Sequence, residues 1–124
     1  MKLFTKVIEA QLIKNSEATE AAEGADLHHK PVVKLFDPYG ASTWLLSEYD
    51  PSNDLAFGLC DLGMGFPELG YVDIEEIKSL KFCGNPRIER DMHWDADGHS
   101  LTEFADKARQ EGRIVSYLQE DSDG

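Results

Sequence analysis

The sequence predicts an α+β fold in which two or three helices pack on a small, mainly antiparallel sheet. Near both ends of the chain, apolar residues recur every three or four positions, as in amphipathic helices. In the middle they form short runs between turn sequences, as in strands. Three such strands predict a meander, to which a fourth strand is added later. We expect one domain over residues 1–118 and a disordered acidic tail over residues 119–124.

The first predicted element is a helix that starts after Thr5, whose hydroxyl can cap its first turn. Apolar residues between positions 4 and 12 fall on one helical face, and the pattern extends to Lys14. Residues 15–29 are polar, rich in Ala and Glu, and aperiodic. They are interpreted as a frayed helix end followed by a linker.

The predicted meander consists of strands at residues 31–37, 42–49 and 55–62. The first turn, Asp37-Pro38-Tyr39-Gly40, has the residue types of a type I turn, and the second covers residues 50–53. In the third strand, alternation predicts one face with Leu55, Phe57, Leu59 and Asp61 and the opposite face with Ala56, Gly58, Cys60 and Leu62.

After the meander, residues 63–70 are too rich in Gly and Pro for regular structure and predict a surface loop. Asp73 can cap a short helix over residues 74–80, with Glu76 completing a pair that resembles a capping box. Residues 87–94 predict the fourth strand. One face of that strand would carry Ile88, Arg90, Met92 and Trp94.

The last predicted helix has the clearest signals in the sequence. Ser100 and Glu103 have the spacing of a capping box. Gly112 follows as a C-terminal stop. The apolar face of this helix would consist of Leu101, Phe104, Ala105 and Ala108.

The charge of the chain constrains its partners. It has 12 Lys and Arg against 24 Asp and Glu, a formal charge of −12. Such a chain should repel nucleic acid and anionic membranes, so we expect no direct nucleic-acid binding and instead a protein partner with a basic surface. The two cysteines, Cys60 and Cys83, form no CxxC pair, and residues 1–6 lack the apolar run of a signal peptide. Both observations favour a cytoplasmic location.

No complete catalytic, nucleotide-binding or metal-binding motif is present, so no catalytic residue, cofactor or metal is predicted. Gly63 and Gly65 begin like a dinucleotide-binding fingerprint, but Glu68 replaces its third glycine. Residues 93–104 resemble a calcium loop but end on Phe104, where a bidentate Glu is needed. A metal held by His93, His99 and a carboxylate stays an open alternative. A nucleophilic Cys60 is disfavoured because Asp61 opposes thiolate formation.

The glycine-rich segment is the best candidate for a binding loop, because its composition is not needed for packing alone. It would present an apolar knob beside one carboxylate. The residues of this predicted binding loop are Gly65, Phe66, Pro67, Glu68, Leu69 and Tyr71.

Several stretches resemble DUF2958, a bacterial family of unknown function. They are Val33–Phe36, Thr43–Leu46, residues 58–71 (GLCDLGMGFPELGY) and Ile88–Asp91 with His93. The resemblance extends from Leu3 to about Val115. It implies an association with plasmids, phages and other mobile elements, and it implies no assigned activity. It also suggests a second candidate patch formed by Asp61, Arg90, Asp91 and His93.

These observations predict a non-catalytic acidic accessory protein of a mobile element that acts by protein–protein binding. A more specific version is an inhibitor that mimics the charge of DNA. The alternative is a small hydrolase or metal-dependent enzyme that uses Glu68, Asp91 and His93. Residues 31–70 contain six acids and one base, Lys34, so the acidity is expected to matter most on that surface.

Overall fold

The structure, a computed structural model, describes residues 2–118 of the 124-residue chain. The predicted acidic tail, residues 119–124, lies outside the described residues. The described residues form three helices and seven strands, which confirms the α+β prediction. In chain order they are α1 (Lys6–Ala21), β1 (Val33–Phe36), β2 (Thr43–Asp50), β3 (Leu55–Asp61), β4 (Glu68–Asp73), α2 (Ile74–Ser79), β5 (Lys81–Phe82), β6 (Asn85–Pro86), β7 (Glu89–Arg90) and α3 (Leu101–Glu111).

The main sheet has five strands in the order β4-β3-β2-β1-β7, and every neighbouring pair is antiparallel. Each face of this sheet covers its own apolar cluster. Leu12 of α1 and Ile74 of α2 pack with Leu35 and Leu46 on one face. On the other face, Phe104 of α3 packs with strand residues such as Leu59. We call these the α1 face and the α3 face.

The predicted N-caps of the three helices are confirmed, but within residues 2–118 Glu76 contributes only its backbone N–H to the α2 cap, so the predicted capping-box pair is not formed. The Thr5 hydroxyl accepts a hydrogen bond from the Ile8 N–H at 3.1 Å. At α3, the side chains of Ser100 and Glu103 accept from each other's backbone N–H groups, and Gly112 ends the helix with a φ of 73°. The Asp73 carboxylate caps α2 by accepting from the backbone N–H groups of Glu75 and Glu76. Within residues 2–118, no helix is both long and apolar enough to cross a membrane.

The prediction that α1 frays after Lys14 was wrong, because the helix continues to Ala21. The continuation is anchored by Asn15, which is buried against the sheet. Its side-chain amide donates a 2.9 Å hydrogen bond to the backbone carbonyl of Ser47 in β2. A polar residue with a distant partner leaves no apolar period in the sequence, so the pattern ended at Lys14, directly before this anchor and seven residues before the end of the helix.

Strand β2 has a β-bulge at Ser47. The pairing of β2 with β3 shifts between Leu46 and Glu48, which leaves Ser47 as the extra residue. Leu46 therefore faces α1, while Glu48 lies opposite Phe57 on the α3 face. Strict alternation would have placed Glu48 on the α1 face.

The predicted loop over residues 63–70 is too long. Its last three residues, 68–70, begin strand β4, which pairs with β3 from Leu55 opposite Asp73 to Cys60 opposite Glu68. Gly70 lies within β4, whereas the other Gly and Pro residues of the segment lie in the connection before the strand. There Gly63 has a φ of +81°, and a Cβ on it would lie 2.4 Å from the Cβ of Ala41.

The predicted strand over residues 87–94 was too long, because only Glu89 and Arg90 pair with β1. Next, the Asp91 carboxylate accepts a hydrogen bond from the backbone N–H of His93 at 3.0 Å and turns the chain. Ile88 then packs on the α1 face and Trp94 on the α3 face. The predicted common face of this segment does not exist, because the chain crosses the edge of the sheet.

The β5–β6 hairpin was not predicted from the sequence. Its turn residues Cys83 and Gly84 both have positive φ. The ring of Phe82 stacks on Tyr39 with centroids 3.8 Å apart, and Arg87 donates hydrogen bonds to both oxygens of Asp37. This hydrogen bonding from Arg87 lowers the pKa of the Asp37 carboxyl.

The pair of Asp37 and Arg87 predicts a dependence of stability on acid. The pKa of Asp37 is lower in the folded protein than in the unfolded chain. The contribution of this ion pair to folding stability is therefore complete above the ordinary Asp pKa of about 3.9, and it is lost as the pH falls through the lower pKa of the folded protein. We expect Arg87→Gln to unfold more easily than wild type at pH 7 and to converge with it near pH 2. Urea unfolding at several pH values measures this difference, and a constant gap would contradict the assignment.

Candidate functional site

The free edge of β4 and the connection before it expose a group of large apolar side chains. We call residues 62–73 the β4 edge. Phe66 is 80% exposed, Tyr71 76% and Met64 70%, and Leu62 and Leu69 are also exposed. In the part of the chain that the structure describes, no strand pairs with the outer side of β4. The segment therefore offers both apolar side chains and unpaired backbone groups to solvent.

The β4 edge contains the whole predicted binding loop, with three changes. Pro67 is buried and cannot belong to an exposed knob. Glu68, Leu69 and Tyr71 lie on a strand rather than a loop, so their directions are fixed by pairing with β3. Sequence reasoning did not select Leu62 and Met64, although both are exposed apolar residues of the same connection.

A row of side chains crosses the sheet just inside this edge. Glu48 of β2, Phe57 of β3 and Tyr71 of β4 are directly opposite one another on the α3 face. The rings of Phe57 and Tyr71 meet edge to face, with centroids 5.2 Å apart. The row thus runs from a half-buried carboxylate, past two aromatic rings, to the open edge of the sheet.

A cleft of about 270 Å³ lies over this row. One wall is the segment after α1, residues 24–29, and another is the start of α3, Leu101 and Thr102. The two walls are joined because the Leu101 N–H donates to the His29 carbonyl at 2.9 Å. The ring nitrogen Nε2 of His29 also forms a 2.9 Å hydrogen bond with the hydroxyl of Thr19.

The chemistry of the cleft suits a cationic side chain. The carboxylate of Glu48 accepts no hydrogen bond from residues 2–118 and forms no ion pair with any of their side chains. Aromatic rings beside a carboxylate stabilise an ammonium or guanidinium group through the ring quadrupole as well as through charge. The imidazoles of His28 and His29 also line the cleft, and the Asp26 carboxylate lies 3.4 Å from Nδ1 of His28.

The second candidate patch is not one patch in the structure. Asp61 is buried, and its two oxygens accept from the backbone N–H groups of Gly63 at 2.8 Å and Ile114 at 2.9 Å. Arg90 lies on the α1 face and donates to the Leu3 carbonyl at 3.0 Å. Asp91 instead forms a 3.6 Å ion pair with Lys34, and His93 is exposed beyond it.

The residues of the alternative enzyme site lie at opposite edges of the sheet. One row of paired residues connects Glu68 to Arg90 through β3, β2 and β1. Four steps of ~4.8 Å separate their backbones by about 19 Å, and Asp91 and His93 lie at the Arg90 end. Side chains this far apart cannot contact one reacting group.

Two other chemical hypotheses also find little support in the structure. Cys60 is half-buried, and burial raises the pKa of its thiol to about 11, so it is protonated at neutral pH. Within residues 2–118, no three His, Cys, Asp or Glu side chains are grouped as metal ligands. His99 forms a 2.8 Å contact with Glu103, which lowers the pKa of that carboxyl.

Comparisons with known proteins identify a family but no activity. A family model described as a protein of unknown function, DUF2958, matches residues 3–115. No curated protein and no solved structure matches the chain. Its chemistry must therefore be inferred from its own surface.

Proposed function

Because the chain belongs to the DUF2958 family of proteins of unknown function, we propose from its surface that it is a non-catalytic accessory protein that binds another protein through the β4 edge. The family resemblance favours an accessory role on a bacterial mobile element. The observation that carries the proposal is the exposure of Tyr71 on β4 and of Phe66 just before it, at a sheet edge that no other strand of residues 2–118 covers. Aromatic side chains are enriched among the residues that dominate binding energy at protein interfaces.

The backbone of β4 supports an extended binding segment in the partner. An edge strand presents unpaired N–H and C=O groups, and a partner strand can add to them. Leu69 and Tyr71 point to the same side of β4, so they can contact alternate side chains of an added strand. Phe66 lies just before β4, where its ring can cover one end of the added partner strand.

The charge around the β4 edge supports a basic partner. Between Leu35 and Ile77 the chain has nine carboxylates and no Lys, Arg or His. This stretch forms β2, β3 and β4, the half of the sheet that ends at the free edge. Complementary charge accelerates the encounter of two proteins and selects among partners.

The cleft beside the β4 edge gives the basic partner a specific contact. A Lys or Arg side chain from an added strand can lie over Tyr71 and Phe57 and approach the carboxylate of Glu48, which accepts no hydrogen bond from residues 2–118. A charge-assisted hydrogen bond in this partly closed cleft is stronger than one at an open surface. The DNA-mimic version of the proposal requires in addition that the partner is a DNA-binding protein.

The proposal predicts that Phe66→Ser combined with Tyr71→Ser abolishes partner recovery. The tagged chain is used to purify partners from its bacterial host, and the affinity of the recovered protein is then measured for wild type and variant. Loss of two aromatic anchors at about 2 kcal/mol each should weaken binding by at least about a hundredfold. Val7→Ser is the matched control, because Val7 is 80% exposed but lies on α1.

Recovery of the same partner at equal affinity by wild type and the double Ser variant would refute the β4 edge as the binding surface. Glu48→Gln tests the cleft separately, because it keeps the size of the side chain and removes its charge. We expect this variant to weaken binding and to reduce its dependence on salt. Competition by duplex DNA for the recovered partner tests the DNA-mimic version.

We further propose that the protein works in the cytoplasm. Its two cysteines, Cys60 and Cys83, are free thiols, as is common in reducing compartments. Fractionation of the host cells, followed by detection of the protein, tests this location.

A further inference from the structure

A second cleft, on the α1 face, has a charge opposite to that of the chain as a whole. It has a volume of about 740 Å³ and lies between the start of α1, α2 and strands β6 and β7. Four basic side chains and one acidic side chain, Glu9, line it. The basic side chains are Lys2, Lys6, Lys78 and Arg90.

This concentration of positive charge is unexpected in a chain with 12 basic and 24 acidic residues. One third of all Lys and Arg residues line a single cleft. Within residues 2–118, none of the four forms an ion pair with a carboxylate. Other basic residues do, among them Lys34 with Asp91, Arg87 with Asp37 and Arg109 with Asp106.

The four cations come from three separate parts of the fold: the N-terminal segment with the start of α1, helix α2, and strand β7. Arg90 of β7 donates hydrogen bonds from one nitrogen to the backbone carbonyls of Lys2 and Leu3. These bonds fix the N-terminal segment and leave other guanidinium N–H groups available. Lys78 comes from α2, which packs on the same face through Ile74 and Ile77. Repulsion between unpaired cations that line one cleft is relieved when an anion binds among them.

The remaining lining of the cleft consists of the polar Thr5 and three apolar residues, Leu3, Phe4 and Pro86. Its volume is in the range of cavities that hold small organic ligands, about 300–1,000 Å³. A ligand that fits both properties carries several negative charges at one end and a ring at the other.

We propose that this cleft binds an organic di- or triphosphate, such as a nucleoside triphosphate, with its phosphates among the four basic side chains and its ring against Phe4 and Pro86. Screening at physiological salt confines the attraction to about 8 Å, so a compact phosphate is held within the basic cleft. An extended nucleic acid would also approach the acidic remainder of the surface and be repelled. The site uses none of the residues of the β4 edge, so it stands or falls independently of the proposed protein binding.

Isothermal titration calorimetry of the full chain with magnesium-free ATP, pyrophosphate and adenosine tests the site. We expect ATP and pyrophosphate to bind, ATP more tightly, and adenosine to give no measurable heat. Lys6→Gln combined with Lys78→Gln should weaken ATP binding about tenfold or more, because each Lys contributes a charge-assisted contact. Both side chains are exposed, so the fold is retained.

The matched control is Lys14→Gln combined with Lys107→Gln, which changes the net charge by the same amount outside the cleft. It should bind ATP as wild type does. The proposal is overturned if ATP gives no heat at millimolar concentration or binds both double variants equally. Equal affinity for pyrophosphate and ATP would overturn the contact with the ring. Tighter binding of a DNA duplex than of ATP would overturn the assignment to a small phosphate.

Discussion

Gly58→Ala is expected to lower the free energy of unfolding by about 3 kcal/mol, the upper part of the usual range for overpacking. A Cβ at this position would lie 2.1 Å from the carbonyl oxygen of Leu45 and 2.8 Å from the Cα of Leu46. Both are backbone atoms of β2, so no side-chain rotation relieves the clash. Relief requires β2 and β3 to separate next to the bulge at Ser47, which also disturbs the cleft.

Gly70→Ala is the matched control for Gly58, because the two glycines are directly paired across β3 and β4. No atom lies within 4 Å of a Cβ on Gly70. The same substitution should therefore change stability by no more than about 0.5 kcal/mol. Urea unfolding followed by circular dichroism measures both variants, and an equal effect on the two would contradict the close approach at Gly58.

Asp61→Ala is expected to destabilise the protein by about 3 kcal/mol. The carboxylate is buried and is the acceptor for the N–H groups of Gly63 and Ile114. These bonds tie the start of the β4 edge and the chain after α3 to the end of β3. Removal of the acceptor leaves the buried Ile114 N–H unsatisfied, at a cost of about 1–3 kcal/mol, and also removes the hydrogen bond that holds the exposed Gly63.

Asp61→Asn separates the lost acceptor from the lost volume. The amide has the same shape and keeps one acceptor oxygen, so this variant should lose about half as much stability as the Ala variant. The unfolding free energies of wild type and the two variants make the comparison. An Ala variant within about 0.5 kcal/mol of wild type would show that the two hydrogen bonds contribute little.

The candidate binding surface was partly predictable from the sequence. The Gly and Pro residues and the apolar residue types around Phe66 directed attention to the stretch whose apolar side chains the structure exposes at the free edge of the sheet. Its conformation was not predictable, because the residues of β4 form a strand only through pairing with β3. Glu48 was missed as a member of the row because the bulge at Ser47 moves it to the α3 face.

The sequence by itself determined the features that depend on a few neighbouring residues. The caps of the helices, the Gly112 stop, the turn after Asp37 and the alternation of β3 all depend on local backbone chemistry. The excess of acids was also fixed by composition alone.

The tertiary structure decided features that need partners far along the chain. The Asn15 side chain meets the Ser47 carbonyl across 32 residues, and Arg90 meets the Leu3 carbonyl across 87. Such contacts leave no period or motif in the sequence, because their geometry arises only when the elements pack. For that reason the acidic surface could be anticipated from the sequence, whereas the basic cleft on the α1 face could not.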